Sequence, residues 1–434
     1  MKRFMMLICI FMLWLPMQMT ALMAQDDIQL DIESNVGYVY NIDTDTAIYE
    51  KNADNKIYPA SMTKIMTVYT ALQYVEDMDY EITLNEKVFN GLARENASVA
   101  GFSINDKVSI KDLLYGIMLP SGADACRAIA IYVAGSEEGF VQLMNEQARK
   151  LGLKHTRFSN TTGLHDISHY TTAKEMATIL KEAIKNKDFM EIFTTKAYQT
   201  KALQSNQKGI SMQSTMWKYL DTIHADTSLF IGGKTGYTLE AGHCLASLST
   251  KINQAQYITI TAQGKGTFQD TVQVEDAQKI YKYLKENYEY RTLYKKGEHM
   301  IDIPVKRLIG TSNISYTAVD DIKAVVRKDD EIKVQFQSES PLKEPIKEGD
   351  KIGKLVLLGK YGKVMELACI SNVTLYPTGL MLIMLIFIVL IGLGYWLWIH
   401  FRKHKLRRKQ LRTMRNRDAI LFDVIHGMNR NRKE

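Results

Sequence analysis

The sequence predicts an α/β (α+β) domain, a smaller all-β domain behind it, and one membrane-spanning helix near the C-terminus. Over residues 25–284 segments of helical period dominate, as in Met62-Ile65-Met66-Tyr69-Leu72 and Met176-Ile179-Leu180-Ile184, with strand-like runs at 35–49, 242–250 and 256–263. Over 285–375 short β-rich runs recur at 300–305, 322–326, 332–336 and 354–358, separated by turn signals such as Lys328-Asp329-Asp330 and Glu348-Gly349-Asp350. Residues 380–399 then carry no charge, and at 1.5 Å per residue they make about 30 Å of helix, the thickness of a bilayer core.

The chain begins Met1-Lys2-Arg3 and runs apolar over 4–22, interrupted by Pro16, with Ala24 before a polar Gln25. A short basic head and an apolar middle predict a secretory signal over 1–24. Leu22 stands where a small residue is preferred at a cleavage site, so an uncleaved anchor is the alternative reading. Aromatic residues Tyr376, Tyr395, Trp396 and Trp398 sit near the ends of the 380–399 stretch, and Arg402, Lys403, Lys405, Arg407, Arg408 and Lys409 follow it. Basic residues flank the cytoplasmic side of a span. The expectation is therefore a single-pass protein of the cell membrane, with 25–375 outside and 400–434 a basic cytoplasmic tail.

Composition narrows the function. At 434 residues, 46% apolar and 24% charged, the chain is neither disordered nor fibrous. Four cysteines, one of them Cys9 in the leader, cannot build a disulfide scaffold. Cys126 and Cys244 fall on a predicted helix and strand, where a free thiol packs as a small apolar group; a disulfide between them stays open. The net charge of +7 is local: the residues from Phe401 onward hold 12 Lys/Arg against 3 Asp/Glu. The remainder is close to neutral, so no nucleic-acid groove is expected.

No His-Glu-x-x-His occurs and the nine histidines lack ligand spacing, so no metal is expected. Gly232-Gly233-Lys234-Thr235 looks like the end of a phosphate loop, but Ser228 occupies the position of its first glycine. Ser61-Met62-Thr63-Lys64 offers a nucleophile of another kind. Residues i and i+3 share a helix face, which brings Lys64 to the Ser61 hydroxyl. A serine needs a neighbour to take its proton, and a lysine does so only when its pKa is depressed. Ser205…Lys208 and Ser340…Lys343 show the same spacing, but only Ser61 opens an apolar-periodic segment, read as an amphipathic helix. Two further pieces join it: Ser121 in the turn Leu119-Pro120-Ser121-Gly122-Ala123, and Lys234-Thr235-Gly236 on a glycine-rich segment suited to close approach by an extended ligand.

In this order, Ser-x-x-Lys, a serine turn and Lys-Thr-Gly resemble the low-molecular-mass penicillin-binding proteins, the serine-type D-alanyl-D-alanine carboxypeptidases. Phe158-Ser159-Asn160-Thr161-Thr162-Gly163-Leu164, His169-Tyr170-Thr171-Thr172-Ala173 and Ala241-Gly242 extend the likeness over roughly residues 25–375. The resemblance implies a penicillin-recognising serine-enzyme fold: an antiparallel sheet flanked by helices, with a helical lobe. It implies removal of the terminal D-alanine from peptidoglycan pentapeptides, inhibition by β-lactams and no cofactor. Ser61, Lys64 and Ser121 would be catalytic. Lys234, Thr235, Gly236 and Tyr237 would bind substrate, with the Ser61 and Tyr237 N–H groups as oxyanion hole and Lys265 a candidate for the terminal carboxylate. The family's middle motif ends in Asn where this chain has Ala123. Two alternatives remain at this point. One is a β-lactamase using Glu182 and Asn186 for deacylation; the other is a wall-sensing penicillin-binding protein whose catalysis has decayed with the lost Asn. His165, His169 and His243 are expected to have no part in the chemistry.

Overall fold

In the computed structural model, residues 30–92, 94–95 and 97–430 are described. The signal expected over 1–24 lies outside them. Strands β1 (Val36–Asn41), β2 (Thr46–Lys51), β3 (Phe230–Thr238), β4 (Gly242–Ser249) and β5 (Tyr257–Gly264) form one sheet in the order β2-β1-β5-β4-β3. All neighbours are antiparallel. The central strands are buried on both faces, which explains their unbroken apolar runs: Leu245 and Tyr257 point to one core, Ala246 and Ile258 to the other. On the first face lie α7 (Thr215–Thr222) and α8 (Val272–Asn287), supplying Trp217, Val274 and Tyr281. On the other lie α1 (Thr63–Ala71) and α5 (Ala173–Ala183).

A helical lobe packs against α1. It is made of α2 (Ile110–Met118), α3 (Ala123–Ala134) and α4 (Glu137–Lys150). Ser109 and Asp112 close a reciprocal capping box on α2, and Gly135 ends α3 in the left-handed conformation that a side chain disfavours. α6 (Lys187–Thr194) packs beside the edge strand β3.

Between α8 and residue 371 the chain is all β: β6 (Tyr288–Tyr294), β7 (His299–Lys306), β8 (Thr311–Thr317), β9 (Ile322–Arg327), β10 (Lys333–Gln337), β11 (Lys351–Gly359) and β12 (Gly362–Ile370). Contacts divide the chain into two units that interleave in sequence. The first runs to Glu298 and adds Ala318–Gln335 and Leu355–Leu367; the second holds His299–Thr317, Phe336–Lys354 and the chain from Ala368 on. Within the first, β6 pairs with β9, and Tyr288 and Val325 join the α8 core. Within the second, β7 and β8 form a hairpin.

The last element, α9 (Thr378–Arg430), is one helix of 53 residues that continues straight through the basic run. Its apolar stretch is buried against nothing among the described residues. Its length and apolar composition fit a membrane anchor. Cys126, Cys244 and Cys369 are all buried free thiols, so Cys126 and Cys244 form no disulfide.

Candidate active site

Ser61 lies in a 3-10 turn, Ala60–Met62, immediately before α1, rather than on the helix. The helix differs from its sequence reading too. Thr63 to Val68, Thr70 and Ala71 are all buried, so α1 is a central helix with no solvent face to speak of. Its threonines, which mimic a polar face in sequence, are satisfied inside: Thr67 donates to the Thr161 carbonyl at 2.7 Å, and Thr63 Oγ1 lies 2.8 Å from His169 Nε2.

One turn after Ser61, Lys64 places its Nζ 3.1 Å from Ser61 Oγ and donates to the Thr162 carbonyl at 2.6 Å. Lys64 is only 3% exposed. Burial holds its pKa below the usual lysine range, partly offset by the Asp124 and Glu137 carboxylates. Lys234, on β3, is fully buried and donates to the Thr235 carbonyl at 3.0 Å. Burial, and then the charge of Lys64, push Lys234 well below its ordinary value. Burial of the two amines favours the neutral form of each, and the charge of one disfavours a charge on the other. The Cys126 thiol beside them is pushed up to about 12 by burial and stays neutral.

Ser121 is held at φ 68°, a left-handed conformation uncommon for a side-chain-bearing residue, and its buried Oγ has no hydrogen-bond partner among the described residues. Ala123 is the first residue of α3 and is 1% exposed. Asp124 does not replace the missing amide. Its carboxylate accepts from the Ala100, Gly101 and Phe102 N–H groups at 2.7, 3.0 and 3.2 Å, fixing the loop that runs past α3.

Strand β3 is the last strand of the sheet, paired only with β4, and an edge strand is where an extended ligand can add. A Cβ on Gly236 would stand 2.8 Å from the Ser61 nitrogen, which shows how closely this strand passes the serine turn. Thr235 Oγ1 bonds Thr215 Oγ1 at 2.6 Å. Tyr237 stacks obliquely on His243 at 4.7 Å and donates to the Gly266 carbonyl at 3.4 Å. Lys265 is an exposed side chain in the turn after β5, next to that glycine. Ser61, Lys64, Ser121, Lys234, Thr235, Gly236 and Tyr237 thus come from three separate stretches of chain.

The segment 158–164, which sequence marks only through family likeness, has a physical role in the fold. It carries the carbonyl that holds Lys64. Asn160 Oδ1 accepts from the Thr162 and Gly163 N–H groups at 3.2 and 2.7 Å, and Glu137 accepts from the Thr161 N–H and hydroxyl at 3.1 and 2.7 Å. His169, expected to have no part in the chemistry, ties this segment to α1. Ser159 N–H donates to its Nδ1 at 3.2 Å, so Nε2 carries the hydrogen and donates to Thr63. Burial lowers the His169 pKa to about 4, keeping the ring neutral. Its stabilising effect is complete above the ordinary histidine pKa of 6.5 and is lost as pH falls from there toward 4, because the unfolded chain takes up the proton first. A thermal-melt series over that range is expected to show this loss, amounting to about 3 kcal/mol at most, and His169→Gln should flatten it. An equally steep series for the variant would place the titration elsewhere.

Glu182 pairs with Lys185 at 2.6 Å, and the Asn186 side chain caps α6. The pair required by the β-lactamase alternative is therefore spent on helix ends. No group of three or more potential metal ligands occurs among the described residues.

Residues 21–266 match the family model described as D-alanyl-D-alanine carboxypeptidase, peptidase S11, and residues 288–375 match the C-terminal domain of penicillin-binding protein 5. The chain belongs to the serine-type D-alanyl-D-alanine carboxypeptidases. It is 30% identical to the D-alanyl-D-alanine carboxypeptidase DacF of Bacillus subtilis, over 78% of this chain and 84% of that protein. It is 33% identical to the D-alanyl-D-alanine carboxypeptidase of Streptomyces sp. strain K15, over 57% of this chain and 85% of that one. A solved structure of the Streptomyces K15 DD-transpeptidase superposes with a TM-score of 0.53 at 30% identity, covering 59% of this chain and 98% of its own. Penicillin-binding protein 5 of Haemophilus influenzae superposes at 0.62 over 80% of this chain and 99% of its own; at 23% identity it speaks for the fold alone.

Proposed function

We propose that this carboxypeptidase removes the terminal D-alanine of peptidoglycan pentapeptide stems through an acyl-enzyme on Ser61. The observation that carries the assignment is the placement of Lys64: buried, held by the Thr162 carbonyl, and 3.1 Å from the serine oxygen. A neutral lysine keeps two N–H donors and one lone pair. One N–H goes to Thr162, and the lone pair receives the Ser61 proton as its oxygen attacks the D-Ala-D-Ala carbonyl. The oxyanion is met by the N–H groups of Ser61 and Tyr237, whose strand passes this turn closely. Collapse breaks the peptide C–N bond, and the proton reaches the leaving amine through Lys64, Ser121 and Lys234. Thr235, with Lys265, receives the terminal carboxylate. Water then hydrolyses the ester, returning Ser61. A β-lactam acylates the same oxygen.

We assign this chemistry to residues 25–284, with 285–375 as an all-β domain, 380–399 as the span and 400–434 on the cytoplasmic side. The charge pattern around the span supports that orientation. The test is D-alanine release from a synthetic pentapeptide together with mass mapping of a penicillin adduct. Release with the adduct on the Ser61 peptide is expected. An adduct elsewhere, or none, overturns the assignment, and an adduct without release favours the wall-sensing alternative.

The orphaned Ser121 hydroxyl and the apolar Ala123 side chain describe a site short of one amide. A hydrogen bond to a charged partner contributes about 1.5–3 kcal/mol, or roughly ten- to a hundredfold in rate. Ala123→Asn is therefore expected to raise the second-order rate of penicillin acylation at least about tenfold. An unchanged rate would mean that the site already compensates for the truncation.

A further inference from the structure

The β7–β8 hairpin ends in the turn at residues 307–310, closed by the Arg307 N–H donating to the Gly310 carbonyl at 3.1 Å. Two large apolar side chains stand out of this turn into solvent: Leu308 is 69% exposed and Ile309 68%. Apolar residues at a hairpin tip cost solubility and add nothing to the core, which along β7 is built from Met300, Ile303 and Val305.

The tip is fastened to the start of α9 by one carboxylate. Glu344 accepts from the Leu308 N–H at 3.1 Å, the Thr378 N–H at 2.8 Å and the Thr378 hydroxyl at 2.7 Å. Arg307 Nε lies 3.6 Å from the same group. Leu308 Cδ2 also sits 3.6 Å from where a Gly379 Cβ would be. The uncharged stretch begins one residue later, at Leu380. Where α9 enters a bilayer, the tip is therefore at the height of that entry. The surroundings match an interface. Tyr376 is 59% exposed, Lys306 and Lys343 are exposed, and with Arg307 the two lysines line a cleft of about 450 Å³ between the hairpin and the helix start. Aromatic and basic side chains belong at headgroup depth, and apolar ones just beneath it.

We propose that the 307–310 turn is a second membrane contact: Leu308 and Ile309 insert into the outer interfacial layer of the bilayer that α9 crosses, and Glu344 locks them to the span. The β domain is then held to the membrane at two points rather than one, which restricts its swing about the anchor. The proposal rests on the reading of residues 380–399 as a membrane span, and the experiment separates the two.

Full-length protein with Cys9→Ser and one new cysteine, Ile309→Cys or Ile388→Cys, is labelled with an environment-sensitive fluorophore; the remaining native thiols are buried. Each is reconstituted into phosphatidylglycerol/phosphatidylethanolamine vesicles carrying a quencher either near the headgroup or near the acyl-chain end. The Ile388 label should be quenched more by the deep quencher. The Ile309 label should shift to shorter wavelength and be quenched at least twofold more by the shallow one. An unquenched Ile309 label beside a quenched Ile388 label overturns the proposal and leaves the span intact. A wavelength shift that appears only as protein density rises, without lipid quenching, assigns the tip to a second copy of the chain and also overturns it. An unquenched Ile388 label removes the span and the proposal together. Glu344→Ala, which leaves the tip residues in place, should reduce the Ile309 quenching while sparing that at Ile388; equal quenching in both would show that the carboxylate does not hold the tip at its depth.

Discussion

Lys64→Met is expected to lower the rate of penicillin acylation by about 10²–10⁴-fold, the range a positioned general base contributes. The substitution keeps an unbranched side chain of similar length, so α1 and the Ser61 turn should stay in place. What disappears is the lone pair 3.1 Å from the serine oxygen. Lys64→Arg should do no better. A guanidinium does not give up its proton in a protein, and its planar fork does not fit the single buried carbonyl of Thr162. In the wild type the amine works as a base only when neutral. Its pKa is lowered by burial, so the loss of acylation on lowering the pH should begin below the ordinary lysine range rather than within it. Second-order acylation rates against pH, for wild type and both variants, check this. An Arg variant that acylates within tenfold of wild type would remove Lys64 from the role of base.

Gly163→Ala should produce the largest loss of stability of any single methyl addition in the site. Gly163 stands at φ +82°, and a Cβ there would lie 1.8 Å from the Ala60 carbonyl oxygen and 2.4 Å from its carbon. Both are backbone atoms of the turn that carries Ser61, and Ala60 is itself held at φ 45°. No rotamer change relieves the overlap, so the 158–164 segment or the serine turn must move. Steric clash and a left-handed backbone together imply about 3–4 kcal/mol. The movement would also draw the Thr162 carbonyl away from Lys64. Melting temperature and acylation rate should therefore fall together. A variant that melts like wild type but does not acylate would show that the segment acts only on the chemistry.

Part of this site is legible from sequence because it is local. Ser61 and Lys64 are three residues apart, one in a 3-10 turn and the other in the first turn of the helix that follows it, so local geometry is enough to bring them together. The second serine and the Lys-Thr-Gly strand are legible as motifs, though nothing in their spacing says that they converge. Thr162 shows the limit. Its contribution is a backbone carbonyl 98 residues away in sequence from the lysine it holds, and a carbonyl has no residue type to read. His169 escapes a sequence reading for a related reason: its value lies in two partners, Ser159 and Thr63, from different elements.

What the sequence determines by itself are properties set by composition and short-range geometry. The long uncharged stretch with its basic flank, the apolar runs of strands covered on both faces, and the nucleophile–base pair are of this kind. What only the tertiary structure decides are contacts between segments distant in the chain. The burial all round α1, the left-handed Ser121, the Asp124 carboxylate given to the loop at 100–102, and the Glu344 clasp between a hairpin tip and the anchor belong here. Burial and hydrogen-bond satisfaction depend on which surfaces meet, and that is settled by the packing of the whole chain rather than by any window of it.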